Sequence, residues 1–187
     1  MIYVIIAVAV LVLLGIFFVV GFNRLRKQDV GAQEALGGID VQLTRRAELI
    51  PNLVQTVKGY AAHESSVFEE ITKARAGLAA AAAGDDVPAK AAADAAMQQA
   101  LVKVNAVAEA YPDLKADANF RDLQDQLAKT EDQIAFARQY YNDATAQLNQ
   151  SVRTIPWMFF SGVAGVKQRD FYDAPDGQDV APTVSFG

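Results

Sequence analysis

One series of apolar residues constrains this chain more than anything else in it: Leu36, Leu43, Ile50 and Val57, then Ile71 and Leu78, at seven-residue steps, with Ile39, Leu53, Tyr60, Val67 and Ala74 between them. Alternating threes and fours is the period of one helix face, so the segment has to lay that face against other helices. The position between Val57 and Ile71 in the series is a carboxylate, Glu64. Pro51 lies inside the same pattern. It lacks the N–H that would bond residue 47 and its ring crowds that carbonyl, so we expect one helix from about residue 36 to about Ala83, kinked at Arg46 to Pro51.

Two further stripes answer the first. Met97, Leu101, Val104, Ala108 and Tyr111 form one that stops at Pro112, and Phe120, Leu123, Leu127, Thr130, Ile134, Ala137, Tyr141, Ala144, Leu148, Ser151 and Ile155 form the longest. Between the first two, Ala76 to Ala100 is rich in alanine, which favours helix but offers little side-chain area to bury, so this hairpin is expected to be the loosest part. Gly84 can end one helix, and Asp85 or Asp86 can cap the next ahead of Pro88. No run alternates with period two. The fold class is therefore all-α: an N-terminal transmembrane helix followed by an up-and-down bundle of three to four long helices.

Ile2 to Phe22 carries no charge and as a helix spans about 31 Å, the thickness of a hydrocarbon core of about 30 Å. With no cation before it and no small-x-small site after it, it reads as a retained signal anchor and not a cleaved signal peptide. Arg24, Arg26 and Lys27 follow at once, which predicts a single-pass protein of the cell membrane with its N-terminus outside and its bundle cytoplasmic. The expected divisions are the anchor (1–22), a basic juxtamembrane segment and glycine hinge through Gly31, Gly37 and Gly38 (23–38), the bundle (39–155), an aromatic segment (156–169) and an acidic, flexible tail (170–187). The net charge of −5 disfavours a nucleic-acid partner, and the absence of Cys removes disulfides, thiolate metal sites and thiol nucleophiles.

A reaction centre does not assemble from what remains. His63-Glu64 lacks the second histidine of HExxH, since residue 67 is Val, and Asp85-Asp86 lacks the alternating ligands of a calcium loop, so no metal and no cofactor are expected. A hydrolase using His63 and Glu64 is the weakest of the readings. Arg45 and Arg46 are expected on a solvated or interhelical face, with an anion site as the alternative. Glu131, Arg138, Asn142 and Thr145 follow seam positions by one and form a polar edge suited to interhelical pairing or, alternatively, a binding groove. Glu64 is expected inside the bundle, paired with Arg138 or, failing that, Lys115; drift of the stripe would leave it on the surface instead. Trp157, Met158, Phe159 and Phe160 are expected far from the bilayer, as a contact with another helix or another subunit.

These stretches resemble the LemA family of membrane proteins: GIDVQLTRRAELIPNLVQTVKGYAAHE at 38 to 64, EAYPDLKADANFRDLQDQLAKTEDQIAFARQYYNDATAQLN at 109 to 149, and Ile155-Pro156. Where many members carry Trp before the Ile-Asp pair, this chain has Leu36-Gly37-Gly38. The resemblance implies one membrane helix, a helical-bundle domain, no catalytic residues to carry over, and relatives tied to membrane invagination. The expected function is a non-enzymatic scaffold in contact with the lipid bilayer and working as a homo-oligomer, with an adaptor for another membrane protein in stress signalling or protein quality control as the alternative.

Overall fold

A computed structural model of the chain describes residues 1–172. Among the described residues there are six helices and no strand: α1 (Ile2–Tyr60), α2 (Ser65–Ala82), α3 (Val87–Ala110), α4 (Pro112–Ala116), α5 (Ala118–Arg153) and α6 (Met158–Ala164). Most of the acidic tail expected from residue 170, namely 173–187, lies outside the described residues. The chain divides into two compact units, one built from Met1–Leu36 and Tyr140–Phe171, the other from Gly37–Gln139 with Tyr172.

The second unit is an up-down-up-down bundle. In it α2 runs antiparallel to α1, with Arg75 Nε donating to the Ala47 carbonyl at 3.0 Å and the Lys58 ammonium 5.3 Å from the centre of the Phe68 ring. α3 runs parallel to α1, since Lys90 bonds Asp40 and Arg46 bonds Asp94. α5 turns back again, with Gln124 donating to Asn105 at 3.0 Å and Arg138 reaching Asp94. Ile39, Leu43, Ile50, Leu53 and Val57 of α1 are buried, as are Ile71 and Leu78 of α2, Met97 and Val104 of α3, and Ile134 of α5. The seam residues expected to line one helix thus lie on two that face each other.

That is the first correction to the sequence reading: the helix expected to reach Ala83 stops at Tyr60. Pro51 does not end it, and α1 also runs unbroken through Gly31, Gly37 and Gly38. The chain leaves the helix where the seam meets its carboxylate. Continuing would carry Glu64 onto the face of Val57 and Ile71, both fully buried, where an unpaired charge costs several kcal/mol. Instead residues 61–64 form a turn, and Glu64 stands at the N-cap of α2 with φ −83° and ψ 48°. Later turns follow ordinary capping rules. Asp86 accepts the Ala89 N–H at 3.1 Å with Pro88 in the first turn of α3, and Asp117 accepts the Phe120 N–H at 2.9 Å where α5 begins. The Phe120 N–H, and then the Tyr60 hydroxyl that donates to Asp117 at 2.9 Å, hold the Asp117 carboxyl below its usual range.

The first unit packs the end of α5 and all of α6 against α1. Leu25, Ala32, Leu148, Phe160, Ala164 and Val166 form its core. Phe160 meets Phe17 and Phe18 edge-on, at ring-centre distances of 5.4 and 5.6 Å, while Trp157 stacks on Phe17 at 6.0 Å and Arg24 lies 4.6 Å from the centre of the Trp157 ring. Gly21 permits this approach: a Cβ there would lie 2.7 Å from the Phe160 ring. After α6 the chain is strapped down, because the Asn149 side-chain amide donates to and accepts from the Arg169 backbone, at 2.8 and 2.9 Å, and the Arg169 guanidinium pairs with Asp29 at 2.8 Å. Tyr141 donates to the Asp170 carbonyl at 2.8 Å.

The second correction concerns the aromatic segment. Expected far from the bilayer, Trp157 and Phe160 lie against the apolar run of α1 itself. Within the first unit the end of α5 runs back along α1, Leu148 sharing a core with Leu25 and Ala32, and so delivers Trp157 and Phe160 to Phe17 and Phe18. From Ile2 to Val20 that run is exposed along its whole length, and α1 is the one helix among the described residues long and apolar enough to cross a membrane.

Candidate functional site: a buried ion network

The chemistry of the second unit is concentrated around Asp94 of α3, which is 1% exposed. Its Oδ1 accepts from Arg46 Nη1 of α1 at 2.6 Å, and its Oδ2 accepts from Arg138 of α5 and from the Tyr172 hydroxyl, the latter at 3.2 Å. Arg46, itself buried, reaches on to Glu131 of α5 at 2.5 Å. Two guanidinium groups therefore face two carboxylates, and the formal charge closes to zero. One turn earlier on α3, the fully buried Lys90 bonds Asp40 of α1 and donates to the Ala82 carbonyl at 3.2 Å.

Each position follows from local sequence. The α3 stripe of Val104, Leu101 and Met97 extends backward, at the same threes and fours, onto Asp94 and Lys90, so these two face the core by register. Ala91, Ala93 and Ala95 surround them with little volume, which leaves room for the long arginine side chains of the neighbouring helices. Arginine suits the role because its planar fork binds two acceptors in fixed geometry and stays charged when desolvated. Burial opposes the charge on Arg138, but Asp94 outweighs it and raises its pKa above the ordinary value. Tyr172 closes the network from the far end of the chain, its ring 5.2 Å from the Arg138 guanidinium. Burial first and the Asp94 charge second push its hydroxyl pKa well above that of an ordinary tyrosine.

Of the polar residues singled out from sequence, Arg46, Arg138 and Glu131 enter this network, Arg46 on the interhelical face that was one of its expected places, and Glu64 does not. The expected pairing of Glu64 with Arg138 or Lys115 is not made, because the turn at 61–64 removes Glu64 from the seam. Half-buried, Glu64 receives only a long contact of 3.4 Å from the Tyr111 hydroxyl, while Lys115 pairs at the surface with Glu109 at 2.7 Å. Asn142 lies half-buried on α5 in the first unit. His63 is exposed in the turn, and the groove beside it, lined by Lys58, Ala62, Ser65, Phe68, Thr72 and Ala76, includes neither His63 nor Glu64. Among the described residues no three His, Cys, Asp or Glu side chains are gathered as a metal site would need. Lys90, Asp94 and Tyr172 were the residues sequence reasoning missed, though the backward extension of the α3 stripe was there to find two of them.

The network is a structural lock, so removing its shared acceptor should be costly. Asp94→Ala strands two arginines and is expected to lose about 3 to 5 kcal/mol in chemical denaturation of the detergent-extracted protein, whereas Lys115→Ala, at an exposed pair, should lose about 1 kcal/mol at most. Tyr172 gives the network a pH signature. The folded state holds its proton more tightly than the unfolded chain, so its contribution is whole below the ordinary tyrosine value of 10.0 and is lost as the pH rises above it. Stability measured from pH 9 to 12 should therefore fall less steeply in Tyr172→Phe than in the unsubstituted protein.

The chain is 23% identical to magnetosome protein MamQ 2 of Paramagnetospirillum magneticum, over 84% of this chain and 66% of that protein. It is 26% identical to magnetosome protein MamQ of Magnetospirillum gryphiswaldense, over 78% of this chain and 62% of that one. It thus spans just under two thirds of the length of these relatives. The family model described as "LemA family" matches residues 35–186, which takes in the whole bundle and both partners of every ion pair in the buried network, and on that match the chain belongs to the LemA family of membrane-associated proteins.

Proposed function

We propose that this chain works without a catalytic centre, as a membrane-attached helical bundle that self-assembles at the bilayer and scaffolds or shapes it. The observation that carries the reading is the disposition of the buried charges. Asp94, Arg46, Arg138 and Glu131 pair with one another across helices and Lys90 pairs with Asp40, so their charges are spent on holding the bundle together. The apolar run of α1 supplies attachment, and the relatives are named for a cellular structure, the magnetosome, and not for a reaction. Arg24, Arg26 and Lys27 directly after the run support an outside N-terminus and a cytoplasmic bundle.

Two measurements test this. The mass of the particle extracted in mild detergent should be a multiple of the 20.1 kDa chain. A single chain alone would remove the self-assembly reading, and a stable complex with a different protein would replace it with an adaptor. For orientation, the chain has no Cys, so a thiol at Ile2 should label from outside intact cells and one at Ser65 should not. The reverse pattern would invert the topology.

A further inference from the structure

We propose that α6, with Ile155 to Trp157 just before it, is a second membrane contact, lying in the interfacial layer of the bilayer beside the end of the α1 span. The inference rests on membrane attachment through α1 and is independent of self-assembly.

Depth is the first argument. Trp157 and Phe160 pack on Phe17 and Phe18, which belong to the uncharged run that ends at Phe22. Phe17 stands roughly 7.5 Å along the helix axis from that end, and helices that lie in an interface sink their apolar face about 5 to 10 Å. A side chain stacked on Phe17 is held at that depth. The segment cannot be far from lipid if α1 is in it.

The face left over points the same way. Phe160 and Ala164 are buried in the core of the first unit, while Phe159 and Val163, one turn apart, are 68% and 65% exposed, with Ile155 at 73% and Met158 also bare. No charged residue occurs from Ile155 to Val166, and the Ser161 hydroxyl is already donated to the Met158 carbonyl at 2.7 Å. The segment is apolar on both sides, with one side bound to protein and the other bare among the described residues.

The border does too. Arg24 rests on the Trp157 ring, and Arg153 and Lys167 bracket the uncharged segment, joining Arg26 and Lys27 of α1. A tryptophan at headgroup level with cations around it is the pattern of a bilayer interface, and these five cations reach the range of about four to eight that reads as acidic-lipid binding. A second copy of the chain is the rival occupant. Four side chains offer less than the roughly 800 Å² per partner that a stable protein interface buries, whereas the adjoining surface of α1 is itself exposed and apolar, as a lipid-facing span would be.

The test uses the full chain in nanodiscs of phosphatidylcholine and phosphatidylglycerol. Because the protein has no Cys, Phe159→Cys and Val163→Cys each carry a single nitroxide, and the collision rates with oxygen, which partitions into lipid, and with a water-soluble nickel chelate are compared. Leu13→Cys, in the span, and Val102→Cys, exposed on α3, are the lipid and water references. Positions 159 and 163 should favour oxygen several-fold, as position 13 does. A preference for nickel like that at position 102 would overturn the inference, and so would shielding from both reagents, which would assign the face to a second copy. If position 13 also favours nickel, membrane attachment itself fails along with the inference. Trp157, the only tryptophan, gives a label-free second reading: acyl-chain bromines should quench it, and quenching by aqueous iodide alone would overturn the proposal.

Discussion

A carboxylate that is 1% exposed holds three helices and the last described residue of the chain in one arrangement. Apolar seams made of leucine, isoleucine and alanine allow neighbouring helices to slip by a heptad at modest cost, since one methyl-lined hole resembles the next. Asp94 does not allow it. A slip of seven residues on α1 would replace Arg46 by Leu53 or Ile39 and leave a charge facing hydrocarbon, at a cost of several kcal/mol. Lys90 with Asp40 repeats the constraint one turn away, so the register of α1 against α3 is fixed twice. Replacing the whole set by hydrophobic residues could match the stability but would not discriminate between registers in this way.

How much of this could be read from sequence depended on whether a residue's environment was local. The helical class, the positions of the three stripes, the cap at Asp86 and the uncharged run were legible because each is a pattern within one segment. The turn at 61–64 was not, because Val57, Glu64 and Ile71 keep the seven-residue phase straight through it. Periodicity cannot distinguish a helix that continues from one that folds back after whole turns. The carboxylate in the seam was the available sign. A charge at a core position means either a buried partner or a break, and Ser65-Ser66 immediately after it favoured the break.

The buried network was hidden for a different reason. Ala76 to Ala100 has little side-chain volume to bury, and volume says nothing of where charges go. Alanine-rich helices approach closely or leave room for long side chains from their neighbours, and here Arg46 and Arg138 enter that room to meet Asp94. Tyr172 could not be foreseen at all. It sits in a stretch with few apolar residues and four aspartates from Asp170 on, and its burial depends on the carboxylate it meets, 78 positions back in the chain.

One missed turn also changed where the C-terminal segment goes. In an up-and-down bundle the direction of the last helix is set by the parity of the helices before it. Three long helices make the last parallel to the first, and four make it antiparallel. The contacts of Trp157 and Phe160 with Phe17 and Phe18 belong to the antiparallel run of α5 along α1 in the first unit, and they require glycine at position 21, where any Cβ would meet the Phe160 ring. An aromatic cluster that would be an oddity at the far tip of a bundle becomes chemically ordinary beside an apolar helix bordered by Arg24. Of the two contacts expected for this cluster, with another helix or another subunit, Trp157 and Phe160 make the first, and the helix they meet is the apolar run of α1.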